Sequence, residues 1–208
     1  MPTAKEASKT FTPVPAGSHI ARSIHCISLG TQPANGAFLP AFKVMLAWEI
    51  PDEIIRRTDT GEEKPMVISK EYTLSLGKKA NLRRDLEGWR GREFNAEELK
   101  GFQVENVLDK PCMLNVIHKT SGSGNVYAVI TGISALPKGV TCKPRVHDLM
   151  QYEIEQGKSC AQWAAIPDFI RKKIELCEEW TSPAVVATGE KPEPSADNEP
   201  DGDPEVPF

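Results

Sequence analysis

Residues 41–50 read Ala41-Phe42-Lys43-Val44-Met45-Leu46-Ala47-Trp48-Glu49-Ile50. Phe42, Val44, Leu46, Trp48 and Ile50 alternate with Lys43, Met45, Ala47 and Glu49. A side-chain period of two marks a half-buried strand, because successive side chains of an extended backbone point to opposite faces. One face is expected in the core and the other is expected to be wetter. The neighbouring segments are read against this strand.

Upstream, residues 18–29 carry Ile20, Ile24, Ile27 and Leu29 among short polar residues and stop at Gly30, a strand with imperfect alternation. Downstream, residues 51–65 are charged, include Gly61 and read as a long connection. A third strand spans residues 66–76, with Ile68, Tyr72, Leu74 and Leu76 on one face. The period then changes, and Leu82, Leu86 and Trp89 fall at helical spacing within residues 79–89. A second helix is expected from Asn95, whose side chain caps the first amides while Glu98 completes a capping box. Phe94 and Leu99 are spaced for a hydrophobic staple across the same turn.

Two more strands follow at residues 111–119, with Cys112, Leu114 and Val116 on one face, and at residues 125–135. Ser121-Gly122-Ser123-Gly124 joins them as a hairpin loop, and it lacks the Lys-Ser or Lys-Thr of a phosphate-binding loop. Beyond Pro144 the pattern is helical: Ile166, Phe169, Ile170, Ile174 and Cys177 share a face, and Asp168 is a candidate N-cap. That helix is expected to pack on the strands or on a partner.

Five strands with a helix after the third match the OB-fold, a mainly β, five-stranded, partly open Greek-key barrel. An antiparallel sheet with helices at one end is the alternative. The expected divisions are a flexible N-terminus at 1–16, an OB-fold domain at 17–143, a helical C-terminal extension at 144–180 and a disordered acidic tail at 181–208.

Seven acidic residues, six prolines and one lysine occupy residues 181–208, so the rest of the chain is about +2 against a formal −4 overall. Such a tail has too little apolar surface to offset its ordering entropy. It ends in Asp201-Gly202-Asp203-Pro204-Glu205-Val206-Pro207-Phe208, one apolar ring beside acids and a carboxylate, the composition of a linear binding peptide.

Five scattered cysteines without a Cys-x-x-Cys pair point to a reduced, intracellular protein, and none joins a histidine at zinc spacing. No metal or other cofactor is expected. The first fifteen residues lack the apolar core of a signal peptide and no stretch has the length of a membrane span, so the cytosol is the expected location. Catalytic motifs are absent and the four histidines are scattered, which gives an enzyme no support.

Nucleic-acid binding has more support, since single-strand binders combine a basic track with rings that stack on bases. Arg56, Arg57 and Lys64 lie in the connection before the third strand, and Lys70, Lys78, Lys79, Arg83, Arg84, Arg90 and Arg92 surround the strand-to-helix transition. Tyr72, Trp89 and Tyr127 are the candidate stacking rings. Trp89 shares its helical face with Leu82 and Leu86 and also suits the core, while Arg83 and Arg84 can simply solvate a helix and pair with Glu87.

The stretch Ile68-Ser69-Lys70-Glu71-Tyr72-Thr73-Leu74-Ser75-Leu76, followed by Leu86-Glu87-Gly88-Trp89-Arg90-Gly91-Arg92, resembles phage-type single-stranded DNA-binding proteins. The tip at 201–208 is similar to that of bacterial single-strand binding proteins, with Gly202 and Pro204 interrupting the acids and Val206 in place of the usual isoleucine. The resemblance implies an OB-fold that coats single strands in replication, recombination and repair. It also implies a tip that recruits replication and recombination enzymes, with Val206, Pro207 and Phe208 as its apolar end and Asp201, Asp203 and Glu205 as its charge. The expected function is therefore sequence-independent single-stranded DNA binding in the cytoplasm of a host cell, with no membrane partner and the oligomeric state open. The alternatives are a protein-binding adaptor or decoy that imitates the host tip, and a strand-annealing recombination protein.

Overall fold

The alternation at residues 41–50 does build a strand, and hydrogen bonding carries it well past them. The computed structural model describes residues 12–34, 36, 39–56 and 61–181. Arg57 and the tip residues Asp201, Asp203, Glu205, Val206, Pro207 and Phe208 lie outside the described residues. The strands are β1 (Gly17–Gln32), β2 (Ala41–Arg56), β3 (Glu63–Thr73), β4 (Pro111–Thr120), β5 (Val126–Ser134) and β6 (Met150–Tyr152). They form a mainly β, six-stranded sheet in the order β3-β2-β1-β4-β5, every neighbour antiparallel, with the short β6 beside β1 in parallel. The connection expected at residues 51–65 is mostly sheet: after an irregularity between Ile50 and Ile54, β2 and β3 keep pairing as far as Arg56 opposite Glu63.

The sheet curls until its two ends stand side by side. Lys70 on β3 donates from Nζ to the carbonyl of Ile130 on β5 at 3.2 Å. The bend originates in β1, whose first residues, Gly17 to Arg22, pair with β4 while Arg22 to Gln32 pair with β2. Register shifts between Ser23 and His25, and between Ser28 and Gly30, let one strand serve both halves.

The inner face holds Val44, Leu46, Trp48 and Ile50 of β2, Ile68 and Tyr72 of β3, Cys112, Leu114 and Val116 of β4, and Ile130 and Ile133 of β5. Helix α1 (Asn81–Arg90) closes this core with Leu82, Leu86 and Trp89, its 3.6-residue apolar stripe. The Trp89 ring meets Trp48 at 5.8 Å between centroids, and its Nε1–H donates to the Pro111 carbonyl at 2.9 Å. Helix α1 stops at Gly91, in the left-handed conformation at φ 67°, and its residue Gly88 accepts from the amide of Ala135 just past β5. The short helix α2 (Ala96–Lys100) has the capping box of Asn95 and Glu98. The staple is replaced: Phe94 packs edge-on against Phe102 at 5.1 Å and Leu99 is exposed.

The second face of β2 is not wetter. Met45 and Ala47 are buried and Glu49 is 0% exposed, because residues 136–181 fold back over β1 and β2. The extension expected to be helical starts with β6 and then forms three short helices, α3 (Ala161–Ala165), α4 (Asp168–Ile174) and α5 (Glu178–Thr181). The break between α3 and α4 falls at Ile166-Pro167, where Ile166 is extended as a residue before proline prefers. Ile166, Ile170, Ile174 and Cys177 meet Ile27, Leu29 and Met45 in a second apolar core, whereas Phe169 is 52% exposed. Among the described residues no helix is long and apolar enough to cross a membrane.

Helix α1 docks through a glycine. A Cβ on Gly88 would stand 2.5 Å from the backbone oxygen of Ile133, a clash that no rotamer change relieves. Gly88→Ala is expected to lower the urea midpoint by the equivalent of about 2–3 kcal/mol, in the range of core overpacking; an unchanged midpoint would show that α1 can shift on the sheet at little cost.

Candidate nucleic-acid interface

Four of the residues expected to touch a ligand are buried in the packing of the sheet instead. The Lys70 side chain is 8% exposed and its Nζ lies 3.0 Å from an oxygen of Asp85, itself 4% exposed. The Tyr72 hydroxyl donates to the same carboxylate oxygen at 3.0 Å. With the Lys70 bond to Ile130, this network ties β3, α1 and β5 together. Lys70 and Tyr72 are thereby withdrawn from the surface, since a buried ion pair is retained by its partners and neither group has solvent to give up to a ligand. Trp89 is likewise packed under α1 and offers no face to a base. Tyr127 is buried on β5, opposite Lys119 of β4. The expected stacking platform of Tyr72, Trp89 and Tyr127 is not exposed.

The remaining cations divide into two groups. Arg56, exposed, and Lys64, which pairs with Glu62 at 3.2 Å, sit near the β2–β3 turn. Lys78, Lys79, Arg83 and Arg84 lie at the opposite end of β3, around the start of α1. The 11 residues of β3 separate the groups by roughly 30 Å at the rise of an extended chain, so the cations the sequence offers as one cluster are two.

The α1 group carries excess positive charge. Lys78 and Lys79 are exposed and make no ion pair among the described residues. Arg83 bonds Glu87 one turn on at 2.9 Å, and Arg84, 63% exposed, reaches Asp85 at 3.3 Å. The first turn of α1 has no acidic residue, and Ala80 at the N-cap supplies no side-chain acceptor. The positive end of the helix dipole therefore faces four cations of its own sign, an arrangement that an anion relieves.

At the far end of α1, Arg90 lies between Phe94 and Phe102, 4.3 and 5.2 Å from their centroids, and bonds Glu98. Arg92, 56% exposed on its side chain, takes the same carboxylate at 2.7 Å. The Arg92 hydrogen bonds, then the Asn95 amide, hold the Glu98 carboxyl down at about 2. Arg90 is a packing residue. Arg92 is exposed, and an ion pair so open to solvent contributes little to stability.

Other polar features were not legible in the sequence. The buried Glu49 carboxylate accepts from the amides of Val146 (3.0 Å) and His147 (2.9 Å) and meets the His147 ring at 2.8 Å, which fastens the connector to β2. Glu179 of α5 accepts from the amide and hydroxyl of Thr31, at 2.8 and 2.6 Å, fastening the other end of the extension to β1. Tyr152, Trp163 and Trp180 form a ring ladder beside Lys158, which lies 5.7 and 5.1 Å from the two tryptophans. Burial, then the charges of Glu153 and Glu105, pushes the Cys26 thiol up to about 12, so it stays protonated at neutral pH. Among the described residues no group of three or more His, Cys, Asp or Glu could hold a metal ion.

Lys70→Met separates a structural role from a binding one. It removes the buried cation from Asp85, leaving the carboxylate only the exposed Arg84 as a cation, at 3.3 Å, and is expected to cost about 3 kcal/mol in denaturant unfolding, with oligonucleotide affinity of the folded protein unchanged. A large affinity loss with unaltered stability would return Lys70 to the interface. No protein-family model matches the chain and no curated protein matches it, so the functional reading stands on sequence and geometry.

Proposed function

We propose that the chain is a non-enzymatic, sequence-independent single-stranded DNA-binding protein that coats exposed strands and recruits replication and recombination proteins through its acidic tip. The reading takes the curled sheet as an OB-fold. Its support is the spatial order β4-β1-β2-β3, which is that of a Greek key, with α1 between β3 and β4 and with β5 returning to β3. Fold alone assigns no ligand. The observation that carries the function is the exposed charge at the start of α1, where Lys78 and Lys79 make no ion pair among the described residues and Arg84, 63% exposed, shares Asp85 with Lys70.

The buried rings sharpen the expected mode of binding. With Tyr72 and Trp89 in the core, affinity rests on phosphate contacts more than on base stacking, so it is sequence-tolerant and strongly dependent on salt. The tip, which combines a terminal ring with acids, fits a partner pocket that is apolar and rimmed by basic groups.

Fluorescence anisotropy with labelled oligo-dT is the direct test. Binding is expected at low salt, with log K falling against log salt by about 0.7 for each phosphate neutralised. No binding at low salt would leave the adaptor reading in its place. Deleting Phe208 is expected to leave the oligo-dT isotherm unchanged and to abolish pull-down of replication proteins; partners retained by the shortened chain would remove the tip from recruitment.

A further inference from the structure

An OB-fold binds oligonucleotides mostly across its second and third strands. In this chain that face is already occupied. The outward row of β2 is Lys43, Met45, Ala47 and Glu49, paired with Thr73, Glu71, Ser69 and Val67 of β3. Met45 lies in the apolar core beneath α4, Glu49 is held by the amides of Val146 and His147, and Glu71 takes both its bonds from Lys173 of α4 at 2.5 Å.

The cover is integral to the fold. The extension adds β6 to the edge of β1, and its last helix is fixed by Glu179 on Thr31. Gly30 has φ 70°, and a Cβ there would come within 2.6–2.8 Å of Ile154, Cys177 and Glu179, so β1 and the extension fit with no room for a side chain. The covered face also has the wrong chemistry for a nucleic acid. Stripped of the extension, it would present the carboxylates of Glu49 and Glu71 to phosphates, and Met45 and Ala47 offer no ring to a base.

We infer that residues 136–181 are a fixed cover that closes the strand 2–3 face and confines single-stranded DNA to a track along α1, entered at Lys78 and Lys79 and leaving past Arg92. The inference rests on the DNA-binding reading above and adds the location of the path. The ten residues of α1 make this track about 15 Å long. Arg84 is exposed between its ends, and Lys138 follows β5, whose end is tied to α1 through Ala135 and Gly88. A fixed cover differs from a displaceable strap in one measurable respect: loosening a strap uncovers binding surface, whereas loosening this cover uncovers carboxylates.

The full chain, titrated with labelled oligo-dT at low salt, separates these cases. K78E/K79E is expected to lower affinity by about tenfold or more and to flatten the salt dependence. Glu179→Ala is expected to lower the thermal midpoint and leave affinity unchanged. Hydrogen exchange of the wild-type chain supplies an independent reading should Glu179→Ala fold poorly. The amides of Thr31, Val146 and His147 should exchange at the same rate with and without oligo-dT, while amides of α1 become protected. A rise in affinity in Glu179→Ala, faster exchange of those three amides on binding, or undiminished affinity in K78E/K79E would overturn the inference. Absence of binding by the wild-type chain would overturn the DNA-binding reading itself.

Discussion

Strand β1 is hydrogen-bonded to three others, and that single constraint organises the chain. Its first residues pair with β4, its later ones with β2, and β6 adds to it in parallel at His25, Cys26 and Ile27. From Ala21 to Gly30 its side chains are largely buried on both faces. The rest of the curled sheet and α1 cover one side, and the extension covers the other through Tyr152, Ile166, Ile170 and Ile174. The carboxylate of Glu49 is tolerable at 0% exposure only because backbone amides and an imidazole of that same layer converge on it. Residues 144–180, which the sequence marks as a helical extension, supply most of a second, smaller apolar core.

The same packing decides which charges remain for function. Lys70 is committed to Asp85 at the junction of β3, α1 and β5, Arg90 to Glu98 and two phenylalanines, and Lys173 to Glu71. Lys78 and Lys79, in the turn before α1, are left with water around them. Charge held in a buried pair is structural, since breaking it is costly, while charge on an exposed turn can exchange its counterions for a polyanion. By this division the basic segment has an interior portion that ties the sheet to α1 and an exterior portion open to solvent.

Much of the strand and helix order was legible, because local periodicity reports directly on which face of an element meets the core. Cys112, Leu114 and Val116 of β4 and Leu82, Leu86 and Trp89 of α1 are buried in the pattern their spacing predicts, and the Asn95–Glu98 capping box forms. The misreadings share a cause. Residue spacing suggests Tyr72 as a stacking ring, Phe169 as a core residue and the Met45 and Glu49 face as the wetter one, and the exposure of each depends on what a distant segment lays over it. The charge of residues 51–65 suggests a connection, yet ladder hydrogen bonds do not require apolar side chains, and β2 and β3 pair as far as Arg56 opposite Glu63.

The sequence by itself determined the strands, the α1 stripe, the helix caps, the acidic tail and the near-neutral body beside it, all of which follow from residue types within a few positions of one another. Tertiary structure alone decided that β3 returns to β5, that Lys70 spans that seam, and that the outer face of β2 is closed by chain from about a hundred residues further on. The physical reason is that periodicity says a face is apolar or polar, but exposure is set by contacts between segments remote in sequence. A lysine on a strand and a lysine on a turn look alike until the fold gives one of them a carboxylate.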